Sequence, residues 1–146
     1  MKRVVREQRL GYVATVCPDG TPNLSPKGTT AVWDDEHLVF LDLFSPGTVA
    51  NIEAGHRVVE VNVVDPIRRK GYRFKGPAEV HREGTVFEDI VQRYERERGT
   101  ERGRIKSAIL ITVREAAPLV SPAYADGSSE ATIEKRSLDM YGLIRK

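Results

Sequence analysis

From Leu10 to Cys17 the chain reads LGYVATVC, dense in β-branched and aromatic residues, and it stops at the turn-forming triplet Pro18-Asp19-Gly20. This pattern predicts a strand over 10–17 and a hairpin returning through 21–33. After Asp34-Asp35-Glu36, the run HLVFLDLF (37–44) is almost continuously apolar, as in a strand buried on both faces. Ser45-Pro46-Gly47-Thr48 then has the form of a helix entrance, with serine as N-cap and proline at the first helical position. Gly55 is placed to close a short helix over 46–54. Beyond it, RVVEVNVV (57–64) sets Val59, Val61 and Val63 on one face. GYRFKGPAEV (71–80) sets Tyr72, Phe74, Ala78 and Val80 opposite Arg73, Lys75 and Glu79, again with a period of two. The basic loop Ile67-Arg68-Arg69-Lys70 joins these strands. A short charged helix over 2–9, a polar helix over 85–98 and a last strand KSAILITV (106–113) complete the pattern.

Six strands with early hairpins and few helices predict a mainly β domain, a closed or partly closed antiparallel barrel with short helices outside it. A parallel sheet would need helices between most strands, and the pattern has none there. One domain accounts for residues 1–146. Residues 118–146 form a loop and helix extension past the last strand, long enough to pack on the barrel or to reach a second subunit.

Composition narrows the function classes. Lys and Arg total 23 against 21 Asp and Glu, a net charge of +2, so no strong field marks a nucleic-acid binder. Cys17 is the one cysteine, which leaves no internal disulfide framework and suits a reducing compartment. MKRVVREQR lacks the apolar core of a signal peptide, and no run is long enough to span a membrane. These features predict a cytoplasmic protein. No phosphate-cradling glycine motif, nucleophile elbow or metal signature occurs, and His37, His56 and His81 stand apart as surface or strand residues.

The anomaly is PNLSPKGTT (22–30), where proline and lysine interrupt a predicted strand. Proline cannot donate to a ladder, and an unpaired buried ammonium is costly. Ser25, Lys27, Gly28 and Thr29 together offer hydroxyls, a cation and close backbone approach to an anion. Ser45, Gly47 and Thr48 offer free N–H groups at the positive end of a helix dipole. If the strands carrying them are neighbours, both segments converge on one phosphate. The simpler alternative is an edge lysine beside a bulge and a serine that only caps its helix.

The ordered set GYVATVCPDGTPNLSPKGT, LVFLDLFSPGTVANI and VVEVNVVDPIRRKGYRFKGPAEVH, followed more loosely by SAILITV and SPAYADGSSE, resembles the pyridoxamine 5′-phosphate oxidase-like family of FMN-binding split barrels. The resemblance implies a six-stranded split barrel, a homodimer, and FMN in the cleft between subunits. It further implies that Ser25, Lys27, Gly28 and Thr29 flank FMN, with Lys27 on the phosphate. Ser45, Gly47, Thr48 and Asn51 would lie at the phosphate end. The backbone of Asp42 and Leu43 would face the ring, and Lys70 would lie near it. Trp33 and Tyr124 are weighed as ring-stacking partners and left outside the site.

Two departures stand out. Many relatives carry arginine or lysine where this chain has Gly47, and the C-terminal Trp and Arg pattern used for pyridoxamine phosphate is missing. The implied activity is hydride or electron transfer through flavin to or from a small-molecule partner, with no protein acid or base assigned. A flavin carrier, a deazaflavin-binding relative and a flavin-free dimeric module remain as alternatives.

Overall fold

The computed structural model describes residues 1–143. Its elements are α1 (Lys2–Gln8), β1 (Gly11–Val16), β2 (Pro22–Lys27), β3 (Ala31–Val32), β4 (His37–Asp42), α2 (Pro46–Glu53), β5 (Val58–Asp65), β6 (Lys70–His81), α3 (Thr85–Arg98), β7 (Ser107–Thr112), β8 (Glu115–Val120) and α4 (Glu130–Met140). Every strand pairing is antiparallel, and the curled sheet runs β2-β1-β5-β6-β7-β4-β3, with β8 paired to β6. The chain is therefore the expected mainly β split barrel.

The split occurs on β6. One edge of this twelve-residue strand pairs with β5 throughout Val58–Asp65, while the other serves β8 through Lys75 and β7 from Ala78 onward. Gly76 sits at the changeover. A Cβ there would lie 1.8 Å from the Thr112 carbonyl oxygen, so the two sheets diverge around a residue that has to be glycine.

Two apolar clusters hold the layers. Val13, Val59, Val61, Val63, Phe74, Ile109 and Ile111 fill the barrel with Leu38 and Phe40, while Val5 of α1 and Val49 and Ile52 of α2 pack against them. Val39, Leu41 and Ala108 face the other way, under Phe87, Ile90, Val91 and Tyr94 of α3. The alternate residues of β4 thus serve both clusters, which is why its sequence is apolar without a break. Each fully buried branched side chain contributes about 1.5–3 kcal/mol.

The sheet has eight strands where six were expected. The hairpin return breaks into β2 and β3 because residues 28–30 carry the chain from one end of the sheet order to the other. The strand over 106–113 is not the last: β8 follows, so the extension begins within a strand. Glu115-Ala-Ala-Pro-Leu-Val is mostly exposed, and its pairing along one edge tolerates Pro118. The apolar run 37–44 ends as a strand at Asp42, and Phe44 is 84% exposed.

The extension docks on its own barrel. Ser129 caps α4 through the Thr132 N–H, Ile133 is buried, and Glu130 and Glu134 pair with Arg68. The final residues of the extension, 144–146, lie outside the described residues. No helix among those described is long and apolar enough to cross a membrane.

Candidate cofactor site

Strand alternation puts Pro22, Leu24 and Pro26 on the outer face of β2 and Asn23, Ser25 and Lys27 on the inner one. β2 is an end strand, paired with β1 alone, so its prolines cost little. Lys27 is only 4% exposed. Its Nζ donates to Ser25 Oγ at 2.6 Å and Ser45 Oγ at 2.8 Å and lies 5.7 Å from the Phe40 ring centroid. No carboxylate among the described residues forms an ion pair with it; the closest influence is buried Asp42. Desolvation pulls the Lys27 pKa below its ordinary 10.5, and the charge of Asp42 opposes that shift. An ammonium bonded only to neutral hydroxyls, with the Asp42 carboxylate acting on it from beyond ion-pair reach, is under-compensated.

Asp42 is itself occupied. Its Oδ1 accepts the Ser45 N–H at 2.6 Å, and its carbonyl accepts the Lys106 N–H at 2.9 Å. This fixes the bend Leu43-Phe44 and the entry into α2.

Ser45 departs from the capping role expected of it. It occupies the N-cap position but makes no side-chain cap hydrogen bond, because its hydroxyl accepts from Lys27. The N–H groups of Gly47 and Thr48 have no partner among the described residues. A cation and an uncapped helix N-terminus therefore lie side by side. Ser25, Lys27, Asp42 and Ser45 come together as one cluster although β2 and β4 are not neighbours in the sheet. Curling of the sheet and the short 28–30 link do what strand adjacency was expected to do.

The other predicted residues take varied places. Thr29 Oγ1 accepts the Leu41 N–H at 2.9 Å, so it ties the turn to β4. Gly28 and Gly47 are exposed, and a Cβ at either would meet nothing within 4 Å. Leu43 packs against the α3 cluster. Thr48 is buried, and buried Asn51 donates to Thr15 Oγ1 at 2.9 Å, knitting α2 to β1. Asn23 donates to the same hydroxyl at 3.0 Å.

Lys70 does not join the cluster. Its Nζ donates to Glu130 Oε2 at 3.0 Å and sits 4.3 Å from the Tyr124 ring centroid, and these partners raise its pKa. Arg68 is likewise committed to Asp65 at 2.8 Å. The β5–β6 loop therefore anchors α4. Trp33 is engaged by Arg93, 5.2 Å from its ring, and Tyr124 donates to the Arg68 carbonyl at 2.7 Å.

Two residues not anticipated in the sequence hold the Lys27 turn from behind. Tyr94 donates its hydroxyl to the Thr29 carbonyl at 2.5 Å, and Arg98 donates to the carbonyls of Gly28 at 3.3 Å and Thr30 at 3.1 Å. Burial makes the Tyr94 phenol a weaker acid than usual. A tyrosine four residues before an arginine on one face of a polar helix was the available signal. Their partners, backbone carbonyls nearly seventy positions away, left none. No group of three metal-ligating side chains occurs among the described residues.

The family model for pyridoxamine 5′-phosphate oxidase matches residues 1–120. The chain belongs to this family. Among solved structures, this family member is similar to HupZ of Group A Streptococcus, with 33% identity over 83% of this chain and 92% of that one, at a TM-score of 0.73. It shares its fold with an FMN-binding protein from Syntrophomonas wolfei (14% identity, 82% and 84% covered, TM-score 0.67). The same fold occurs in HutZ, the heme storage protein from Vibrio cholerae (17% identity, 82% and 90% covered, TM-score 0.63). No curated protein matches the chain.

Proposed function

We propose that this family member binds FMN, with the phosphate held by Lys27, Ser25, Ser45 and the N–H groups of Gly47 and Thr48. The observation carrying this reading is the Lys27 ammonium, buried without a carboxylate partner beside an uncapped helix N-terminus. A phosphate supplies the missing anion to both features at once. The donor set fits: one cation, two hydroxyls and two N–H groups suit a phosphate dianion. Gly47 removes a cation found in relatives, and the open space at its Cβ position leaves the backbone N–H groups directly approachable.

The backbone of Asp42 and Leu43 would border the bound flavin, and Thr29 with Tyr94 and Arg98 holds the turn that presents Lys27. Bound flavin would supply hydride or electron transfer, making the protein an oxidoreductase that serves a small-molecule donor or acceptor. The cofactor would lie between the subunits of a homodimer. The uncharged outer face of the β1–β2 hairpin, where Tyr12, Val16 and Leu24 are exposed, supports such an association. The lone Cys17 suits a reducing, cytoplasmic setting.

Titration of the purified protein with FMN, followed by visible absorption, tests the reading, with a deazaflavin and hemin as competing ligands. Shifted flavin bands with a one-to-one endpoint per chain support it. Preference for deazaflavin or hemin, or no uptake of any of the three, overturns it. Reduction of the bound flavin by NADH or NADPH, followed by transfer to an acceptor, separates an oxidoreductase from a carrier.

A further inference from the structure

On the far side of the Lys27 turn, α1 and α3 border a groove of about 280 Å³ lined by Arg6, Arg9, Ala31, Val32, Arg93, Glu97 and Arg98. Four guanidinium groups share it with one carboxylate. Glu97 is already engaged by Arg93 at 3.2 Å and Arg96 at 3.6 Å, so Arg6, Arg9 and Arg98 have no carboxylate partner among the described residues. Ordinary solvated arginines spread apart to lower their mutual repulsion. Here two of them are fixed. Arg98 is held by the Gly28 and Thr30 carbonyls and lies 5.1 Å from the Tyr94 ring, and Arg93 donates to the Trp33 carbonyl at 3.0 Å.

Arg9 adds an independent observation. It stands just past α1 with φ 55° and ψ 9°, donating its N–H to the Val5 carbonyl. This left-handed position is one that glycine adopts freely and other L-residues adopt at a cost. The five positions from Val5 to Arg9 thus end a helix on a strained arginine whose side chain lines the groove. Strain of this kind is retained where the side chain is used.

We propose that this groove binds a diphosphate group, with Arg9 and Arg98 as its principal donors and Arg6 as a third. Planar guanidinium forks match phosphate oxygens in pairs, and Arg98 is preorganised by the backbone carbonyls it already holds. The floor of Ala31 and Val32 offers no side-chain acceptor to compete. The diphosphate comes either free or as part of a nucleotide.

Calorimetric titration of the full chain at low ionic strength with sodium pyrophosphate and, separately, ADP tests this in wild type, Arg9→Gly, Arg6→Gln and Lys27→Met. The expected result is saturable pyrophosphate binding that Arg9→Gly weakens about tenfold or more. Its Tm should not fall, because glycine is at ease at this φ. Arg6→Gln should weaken binding by a smaller factor. ADP binding tighter than pyrophosphate assigns the site to a nucleotide, and equal affinity assigns it to free diphosphate; both support the proposal. No saturable binding by wild type overturns it. So does binding lost in Lys27→Met and kept in Arg9→Gly, which would move the anion to the Lys27 cluster. Binding of an RNA oligonucleotide by protein that ignores pyrophosphate also overturns it.

Discussion

Replacing Lys27 with methionine removes the ammonium while keeping most of the side chain's length and volume, so cofactor affinity should fall steeply while stability changes little. In the cofactor-free chain Lys27 is 4% exposed and its ammonium is held by two neutral hydroxyls. Losing those bonds costs about 1.5–3 kcal/mol each. Relief of the desolvation penalty returns several kcal/mol, and Ser25 and Ser45, both partly exposed, can turn to water. The loss of about 3–6 kcal/mol in all and the return are of similar size, so stability should change by no more than about 2 kcal/mol, a Tm shift within about 8 °C for a chain of this size.

Binding responds differently. A charge-assisted contact between ammonium and phosphate contributes about 1.5–3 kcal/mol, so the FMN Kd should rise roughly 10- to 150-fold. Differential scanning calorimetry without cofactor and flavin fluorescence titration read the two effects separately. Unchanged FMN affinity together with a Tm lowered by more than about 8 °C would refute the reasoning, since Lys27 would then be a structural residue.

The remaining predictions address the same site and its frame. Because the Lys27 pKa is depressed by burial, the unfolded chain holds more protons than the folded one between the folded pKa and 10.5, so cofactor-free stability should rise with pH across that window. FMN affinity should fall over the same range as the ammonium loses its charge; urea unfolding and flavin titration at stepped pH check both signs. Tyr94→Phe removes the hydroxyl that holds the Thr29 carbonyl, and should cost about 1–2 kcal/mol and weaken FMN binding, read by urea unfolding and flavin titration. Gly76→Ala places a methyl 1.8 Å from the Thr112 carbonyl oxygen and should cost about 3 kcal/mol or more, seen as an unfolding midpoint far below wild type.

Much of the frame was legible because burial writes itself into residue order. β4 is apolar without a break since Leu38 and Phe40 face the barrel while Val39 and Leu41 face α3. β5 and β6 alternate because each has one wet face. β8 carries no such signature: Glu115-Ala-Ala-Pro-Leu-Val buries almost nothing, and its pairing with β6 rests on backbone groups that every residue shares.

The same distinction governs the candidate site. Lys27 was visible as a violation, a cation placed where a strand should refuse one, and a violation that folding retains has to be compensated by something nearby. Part of the compensation is Ser45, whose sequence context announces a helix cap and whose hydroxyl accepts from Lys27. A local motif states which bonds a residue can make, whereas the fold decides which competitor receives them. Lys70, given a place near flavin by the resemblance, is paired in this chain with Glu130 of α4 at 3.0 Å, a partner that its own segment does not mark. Tyr94 and Arg98 stayed hidden because their targets are carbonyls, which no side-chain pattern marks. An anomaly in a strand thus points to a candidate site, and the groups that surround it come from the way the sheet curls.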